Sequence, residues 1–139
     1  MLWTHPKPLE ALQARSQDTA VSNLGIEYTR IDDVSLSARM PVDARTIQPY
    51  GILHGGASVL LAETLGSTAA SMCIDSETHY CVGLDINANH VRAVTSGFVT
   101  GTVQAVHVGR STHVWSIEIR DEADRLVCIA RLTMAVLPR

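Results

Sequence analysis

Residues 48–73 read QPYGILHGGASVLLAETLGSTAASMC. A loop containing Pro and Gly leads into a histidine and a glycine pair, and then into a long apolar run holding one carboxylate, Glu63. Ala57, Leu60, Leu61, Thr64, Leu65, Thr68, Ala69 and Met72 recur at intervals of three and four, the repeat of one face of an α-helix. Gly56, Val59, Glu63, Gly66, Ser67 and Ala70 make a second, small-residue face that lets a ligand or another backbone come close. Neither face is charged in the way a surface helix would be, so this helix is expected to be largely buried.

Glu63 therefore needs a reason to be there. A carboxylate buried without a partner costs several kcal/mol or shifts its protonation equilibrium. One reading is an ion pair with an arginine from a neighbouring strand; the other is catalysis. The helix start favours catalysis, because the N–H groups of Gly55 and Gly56 point outward with the positive end of the helix dipole and suit a carbonyl oxygen that becomes negative. Glu63 lies eight residues beyond Gly55, about 12 Å at 1.5 Å per residue, so one carbonyl group cannot touch both. If both act on one substrate, the glutamate must come from a second, antiparallel copy of the helix. The expectation is a two-fold dimer with two composite sites.

The rest of the chain limits the alternatives. Its 139 residues, 46% of them hydrophobic, suit one domain over 1–139 with a real core. A net charge of −3 argues against a general binder of nucleic acid or anionic membrane. No apolar run is long enough for a membrane span and the N-terminal stretch has no secretory pattern, so a cytoplasmic location is expected. Cys73, Cys81 and Cys128 form no CxxC pair and read as buried free thiols. No motif for nucleotide hydrolysis, nicotinamide binding or zinc is present, and neither a metal nor a cofactor is expected.

Short helical turns are expected from Pro8 to Ala14 and from Asp18 or Thr19 to Leu24. Strands follow at Leu24–Ile31 and Val34–Met40, joined at Asp32-Asp33 and ended by Pro41. Four strand-like runs come after the helix. Val82, Leu84, Ile86 and Ala88 share a face of Tyr80–Val91, and Val99, Gly101, Val103 and Ala105 share one of Gly97–Val108. Trp115, Ile117 and Ile119 do so in Thr112–Arg120. Leu126, Cys128, Ala130, Leu132, Met134 and Val136 alternate through Arg125–Leu137. One long helix with antiparallel strands before and after it is an α+β arrangement in which the sheet must curl around the helix. His5, His79 and His113 read as surface or strand residues.

The run LHGGASVLLAETLGS, preceded by QP and followed by VGLDINANHVR and HVGRS, resembles the hotdog-fold acyl-CoA thioesterases, in the branch of 4-hydroxybenzoyl-CoA thioesterases that use a helix glutamate. Within that branch the likeness runs to enzymes acting on 1,4-dihydroxy-2-naphthoyl-CoA and to relatives that clear mischarged carrier protein, over nearly the whole chain. The resemblance implies a hotdog fold, a curved antiparallel sheet wrapped around one central helix. It implies a homodimer pairing into a homotetramer, and a place in menaquinone biosynthesis. It also implies thioester hydrolysis with Glu63 as nucleophile or general base and the Gly55 N–H as carbonyl donor.

His54 reads either as a support for the thioester carbonyl or as a hydrogen-bonding residue of the helix start. Gln48 matches the polar residue that orients water or carbonyl. Ser67, one turn beyond Glu63, holds water or the glutamate, or serves only helix packing. Gly83, His90, Val91 and Arg92, with His107, Val108, Gly109, Arg110, Ser111 and Thr112, match segments contacting the acyl group, pantetheine or phosphates. Arg92, Arg110 and the turn N–H groups near Gly109 are the phosphate candidates. Val91 stands where some members carry a second histidine. Acyl-carrier-protein thioesters, a hydratase or dehydratase reaction pairing His54 with Glu63, and acyl-CoA binding without turnover are the competing readings.

Overall fold

The computed structural model describes residues 1–139. In chain order it contains α1 (Leu9–Arg15), α2 (Ala20–Asn23), β1 (Glu27–Ile31), β2 (Ser35–Pro41), α3 (Gly55–Ser71), β3 (His79–His90), β4 (Phe98–Val108), β5 (Thr112–Arg120) and β6 (Leu126–Pro138). The six strands form one antiparallel sheet in the order β1-β2-β4-β5-β6-β3. The α+β reading and every predicted element are present, with ends shifted by a few residues at most. Pro41 ends β2 as expected and is itself the last paired residue, opposite Phe98.

Helix α3 packs against β2, β3, β4, β5 and β6. Five flat strands would span about 19 Å at 4.8 Å spacing, wider than one helix of about 10–12 Å diameter. The sheet therefore has to wrap, as the hotdog architecture requires. Bulges in four of the five pairings, at Tyr28/Arg30, Gly83/Asp85, Ala105/His107 and Ile119/Arg120, add the local bend and twist this needs.

Inside the wrap, Leu61 and Leu65 of α3 are fully buried with Leu36 and Met40 of β2, Trp115, Ile117 and Ile119 of β5, and Leu132 of β6. Trp3 stacks on Trp115 with ring centroids 6.4 Å apart and donates its indole N–H to the Asp32 carbonyl. The Leu2 amide is bonded to Asp33 and the His5 amide to Met72, so the N-terminal residues seal the end of the wrap near the C-terminus of α3. The turn expected at Asp32-Asp33 is built on the Asp32 side chain, which accepts from the Val34 and Ser35 amides and the Ser35 hydroxyl. These bonds hold its carboxyl well below the usual range.

Two bulges overturn the simple alternation expected for their strands. At Gly83/Asp85 the extra residue, Leu84, breaks the face in two: Val82 and Leu84 are exposed, while Ile86 and Ala88 pack on the core. At Ala105/His107 the buried face of Val99, Gly101 and Val103 stops short of Ala105, which is exposed. His113, read as a surface or strand residue, is buried edge-on against Trp115, and burial pushes its pKa down. The cysteines are free, with Cys128 buried and Cys73 and Cys81 half-buried. Burial pushes the Cys73 thiol up to about 11, the opposite of an activated nucleophile.

Candidate active site

The chain from Ile47 to Leu53 is pinched by a bridge between those two residues. Gly51 sits at φ +79° in the tight turn of Gln48-Pro49-Tyr50-Gly51, a conformation costly for other residues. The Gln48 side-chain oxygen accepts from the Tyr50 amide. That contact assigns the amide orientation and leaves the Gln48 NH₂ group to donate. The His54 amide is tied to the Thr46 carbonyl, fixing the approach to the helix.

His54 is the N-cap of α3. Its Nδ1 accepts from the Gly56 N–H at 2.8 Å, so the neutral ring carries its proton on Nε2. The helix-start reading of His54 is thus realised, and Nε2–H remains available to donate. The same bond removes Gly56 from the pair of amides expected at the helix start. Gly55 alone keeps an N–H with no intramolecular acceptor. A Cβ at Gly55 would lie 2.9 Å from His90 Nε2. The His90 ring of β3 therefore stands over Gly55, and a side chain there would displace it.

Gln48, Gly55, His90, Val91 and Arg92 line one cavity of about 440 Å³ at this end of the helix, together with Ser58. Arg92 donates through Nε to the Leu126 carbonyl at 3.3 Å, which leaves its terminal nitrogens facing out. It has no carboxylate within ion-pairing distance.

Glu63 is elsewhere. It lines a second cavity, about 530 Å³, with Ser67, Thr64, Tyr28 and Arg15. Its carboxylate makes no ion pair and no hydrogen bond, so the arginine pairing weighed for it is not formed. It is half-buried in the single chain rather than enclosed. The open face of α3 is rotated from expectation: Leu60 and Thr64 join Gly56, Val59, Glu63 and Ser67 outside, while Ala62, Gly66 and Ala70 go in. Glu63 Oε1 lies 2.6 Å from where a Cβ on Gly83 would stand. A glycine at the β3 bulge lets the carboxylate rest against bare backbone.

The remaining candidates sit farther off. His90 pairs with Cys128 of β6, whereas the β4–β5 hairpin joins β6 at Thr112–Ala135. Seven residues along that strand is about 23 Å at 3.3 Å per residue. His107, Val108, Gly109, Arg110, Ser111 and Thr112 therefore lie at the opposite end of the sheet from Gly55 and His90. The Gly109 N–H is already donated to the Thr112 carbonyl, which removes it from the phosphate donors expected of this turn. No group of three or more His, Cys, Asp or Glu side chains converges anywhere in the chain.

Chemically, one end of α3 offers donors and cations: the Gly55 N–H, Gln48 NH₂, His54 Nε2–H and Arg92. The middle offers an unpaired acid among hydroxyls. Together they are what acyl transfer to water requires, and one chain keeps them in separate cavities.

Residues 50–128 match the thioesterase superfamily. The chain belongs to that family. This thioesterase is 50% identical over 137 residues to the 1,4-dihydroxy-2-naphthoyl-CoA hydrolase of Escherichia coli K12, covering 99% of this chain and 100% of that one. It is also 50% identical over 137 residues to the proofreading thioesterase EntH of Cronobacter turicensis, covering 99% of each. A crystal structure of a mutant thioesterase PA1618 from Pseudomonas aeruginosa superposes with a TM-score of 0.98 at 51% identity and full coverage of both chains. Thioesterase HI1161 from Haemophilus influenzae superposes at 0.96 with 48% identity, covering 99% and 96%. The thioesterase is thus a thioester hydrolase with a hotdog fold, and no helix of it is long and apolar enough to cross a membrane.

Apart from Glu63 and Ser67, none of the ten residues lining the Glu63 cavity is marked as a site residue by the sequence. Arg15, at the end of α1, carried no periodic or motif signal. Tyr28 and Thr68 were marked only as strand and packing residues, yet their hydroxyls meet at 2.9 Å across β1 and α3. Thr64 was placed on the packing stripe, a helical-wheel error of one position.

Proposed function

We propose that the thioesterase hydrolyses an aromatic acyl-CoA, with 1,4-dihydroxy-2-naphthoyl-CoA the best-supported substrate and menaquinone biosynthesis the corresponding setting. Residues 1–139 act as one catalytic domain in the cytoplasm. The observation that carries the reading is the separation of an unpaired Glu63 from an unpaired Gly55 N–H along one helix. A second copy running antiparallel closes that gap and makes two composite sites. The exposed apolar residues of edge strand β3 support this pairing. Leu84 is 64% exposed and Val82 36%, on a long unpaired edge of the kind that natural proteins cover. Outward-facing Val106 and Ile129 give a second dimer a surface to meet.

In each composite site the thioester oxygen lies on the Gly55 N–H of one subunit, with Gln48 and His54 as further donors. Glu63 of the other subunit takes a proton from water as its oxygen bonds to the carbonyl carbon, or attacks that carbon itself to form an anhydride that water then opens. In either route the C–S bond breaks, the CoA sulfur leaves with the electron pair and is protonated, and the acid is released. Ser67 holds the attacking water or the carboxylate. Arg92, His90, Gly83 and the 107–112 hairpin, drawn from the two subunits, line the path of the acyl and CoA portions.

The equal likeness to the proofreading thioesterase favours one second reading, hydrolysis of mischarged acyl or aryl carrier protein. Following thiol release from aryl-CoA, fatty acyl-CoA and acyl-carrier thioesters separates the two. Fastest turnover on 1,4-dihydroxy-2-naphthoyl-CoA is the expected result. Preference for the carrier thioester selects the second reading, and absence of thiol release from every substrate overturns both.

A further inference from the structure

The cavity holding Glu63 is not the apolar pocket a plain hydrocarbon acyl group would ask for. Beside Leu60, Val21 and Tyr28 its wall is hydroxyls and one cation, Arg15. Arg15 and Ser67 also line an adjoining cavity of about 310 Å³, whose other basic residues include Lys7 and Arg139 and which has no acidic side chain. Arg15 therefore stands on the ridge between the two spaces, with Glu63 on one side and a positive wall on the other. Neither Arg15 nor Lys7 has a carboxylate within 4.0 Å, unlike Arg30, Arg39, Arg45, Arg120 and Arg125.

The backbone that carries Arg15 is held firmly. Leu12, one turn earlier, is fully buried. Gln13 grips edge strand β1 with both ends of its amide, donating to the Ile26 carbonyl at 3.1 Å and accepting from the Tyr28 amide at 2.9 Å. The Ser16 hydroxyl closes the helix end on the Leu12 carbonyl, and the Thr19 hydroxyl donates to the Ser16 carbonyl. A cation on a fixed base loses less freedom when it meets a ligand.

We propose that Arg15 is a specificity-determining residue that selects an acyl group bearing an anionic oxygen, a carboxylate or an ionised phenol, on the end remote from the thioester. The inference rests on the proposed thioesterase site at Glu63 and adds which acyl groups that site prefers. With the thioester carbonyl at Glu63, the acyl group extends past Ser67 toward Arg15, and the adjoining cationic wall adds a favourable field for negative charge. A guanidinium is suited to this because its planar donors match carboxylate and phenolate oxygens. The absence of a competing internal carboxylate leaves those donors for the substrate.

The test compares 4-carboxybenzoyl-CoA with its neutral near-isostere 4-methylbenzoyl-CoA, in the wild type, Arg15→Met and Arg15→Lys, by thiol release. In the wild type kcat/KM is expected to favour the carboxylated substrate by about tenfold, the scale of one charge-assisted hydrogen bond. Arg15→Met is expected to lose that preference, with kcat/KM falling about tenfold more on 4-carboxybenzoyl-CoA than on 4-methylbenzoyl-CoA, and Arg15→Lys to keep part of it. Equal turnover of the two substrates by the wild type overturns the inference while leaving the thioesterase site standing. So does an equal loss on both substrates in Arg15→Met. Failure of the wild type to release thiol from either one overturns the catalytic reading of Glu63 and this inference with it.

Discussion

The start and the middle of helix α3 are unlike. At its N-terminus the backbone and its neighbours donate: Gly55 keeps a free N–H, His54 spends Nδ1 on Gly56, Gln48 spends its oxygen on Tyr50, and Arg92 and His90 close in from the end of β3. Eight residues on, Glu63 has no donor at all, only the bare backbone of Gly83 and a wall of hydroxyls with Arg15. An acid without an oxyanion hole and a hole without an acid are each inert. On the reading proposed above the functional unit is larger than the chain, and that reading can be attacked from either side.

The largest effect is expected from removing the acid. Glu63→Ala should lower kcat by about 10²- to 10⁴-fold, the range of a general acid–base group, while a non-hydrolysable CoA ether still binds in calorimetry. Near-normal turnover would remove Glu63 from the chemistry. Gly55→Pro deletes the one free helix-start N–H, and its ring also pushes the His90 side chain aside; together these should cost at least about 10²- to 10³-fold.

Combining these two inactive variants asks whether the two groups cooperate between subunits. A heterodimer of Glu63→Ala with Gly55→Pro, isolated through two different affinity tags, holds one intact composite site and should recover about half the wild-type rate. If both groups instead served one substrate within a subunit, no recovery would be seen.

A smaller change is expected at Gly83. Gly83→Ala places a Cβ 2.6 Å from Glu63 Oε1, at the far end of a flexible side chain. It should lower kcat by about tenfold through displacement of the acid, with the melting temperature nearly unchanged. Equal damage to stability would show that the glycine serves the β3 bulge instead.

The smallest effect concerns the floor beneath the acid. His113, Met134 and Gly83 lie in one row across β5, β6 and β3. Burial and the nearby His107 hold the His113 pKa below its ordinary 6.5, so the unfolded chain binds the proton more readily than the folded one. Stability from a neutral His113 is complete above pH 6.5 and is lost as pH falls from there through the depressed folded value. Between pH 7.5 and pH 5 the melting temperature should drop by about 2–6 °C more in the wild type than in His113→Phe. Parallel curves would assign the acid sensitivity to other groups.

Much of this was legible in the chain because it depends on local repeats. The three-and-four spacing of Ala57, Leu61, Leu65 and Ala69 marks α3 wherever it packs, and Trp115, Ile117 and Ile119 mark the inward face of β5. The eight-residue gap between Gly55 and Glu63 is a helical distance, so their separation along α3, on which the expectation of a second subunit rests, followed from arithmetic. The bulges did not follow. Leu84 and Ala105 fit their alternation by type, and only the pairing of β3 with β6 and of β4 with β5 shows the extra residues, Leu84 itself and Val106, at which the simple alternation ends.

What the sequence determined by itself is therefore the element order, the buried helix α3 and the single carboxylate it carries, since these are written in spacing and in short motifs. What the tertiary structure alone decided is which groups are still free to act. Gly56 and Gly109 have donors that pairing consumes, His113 is sunk in the core, and Arg15 comes from the end of α1 to line the cavity of Glu63 without a carboxylate partner. Availability depends on what arrives from elsewhere in the chain, and sequence spacing carries no record of contacts between residues so far apart.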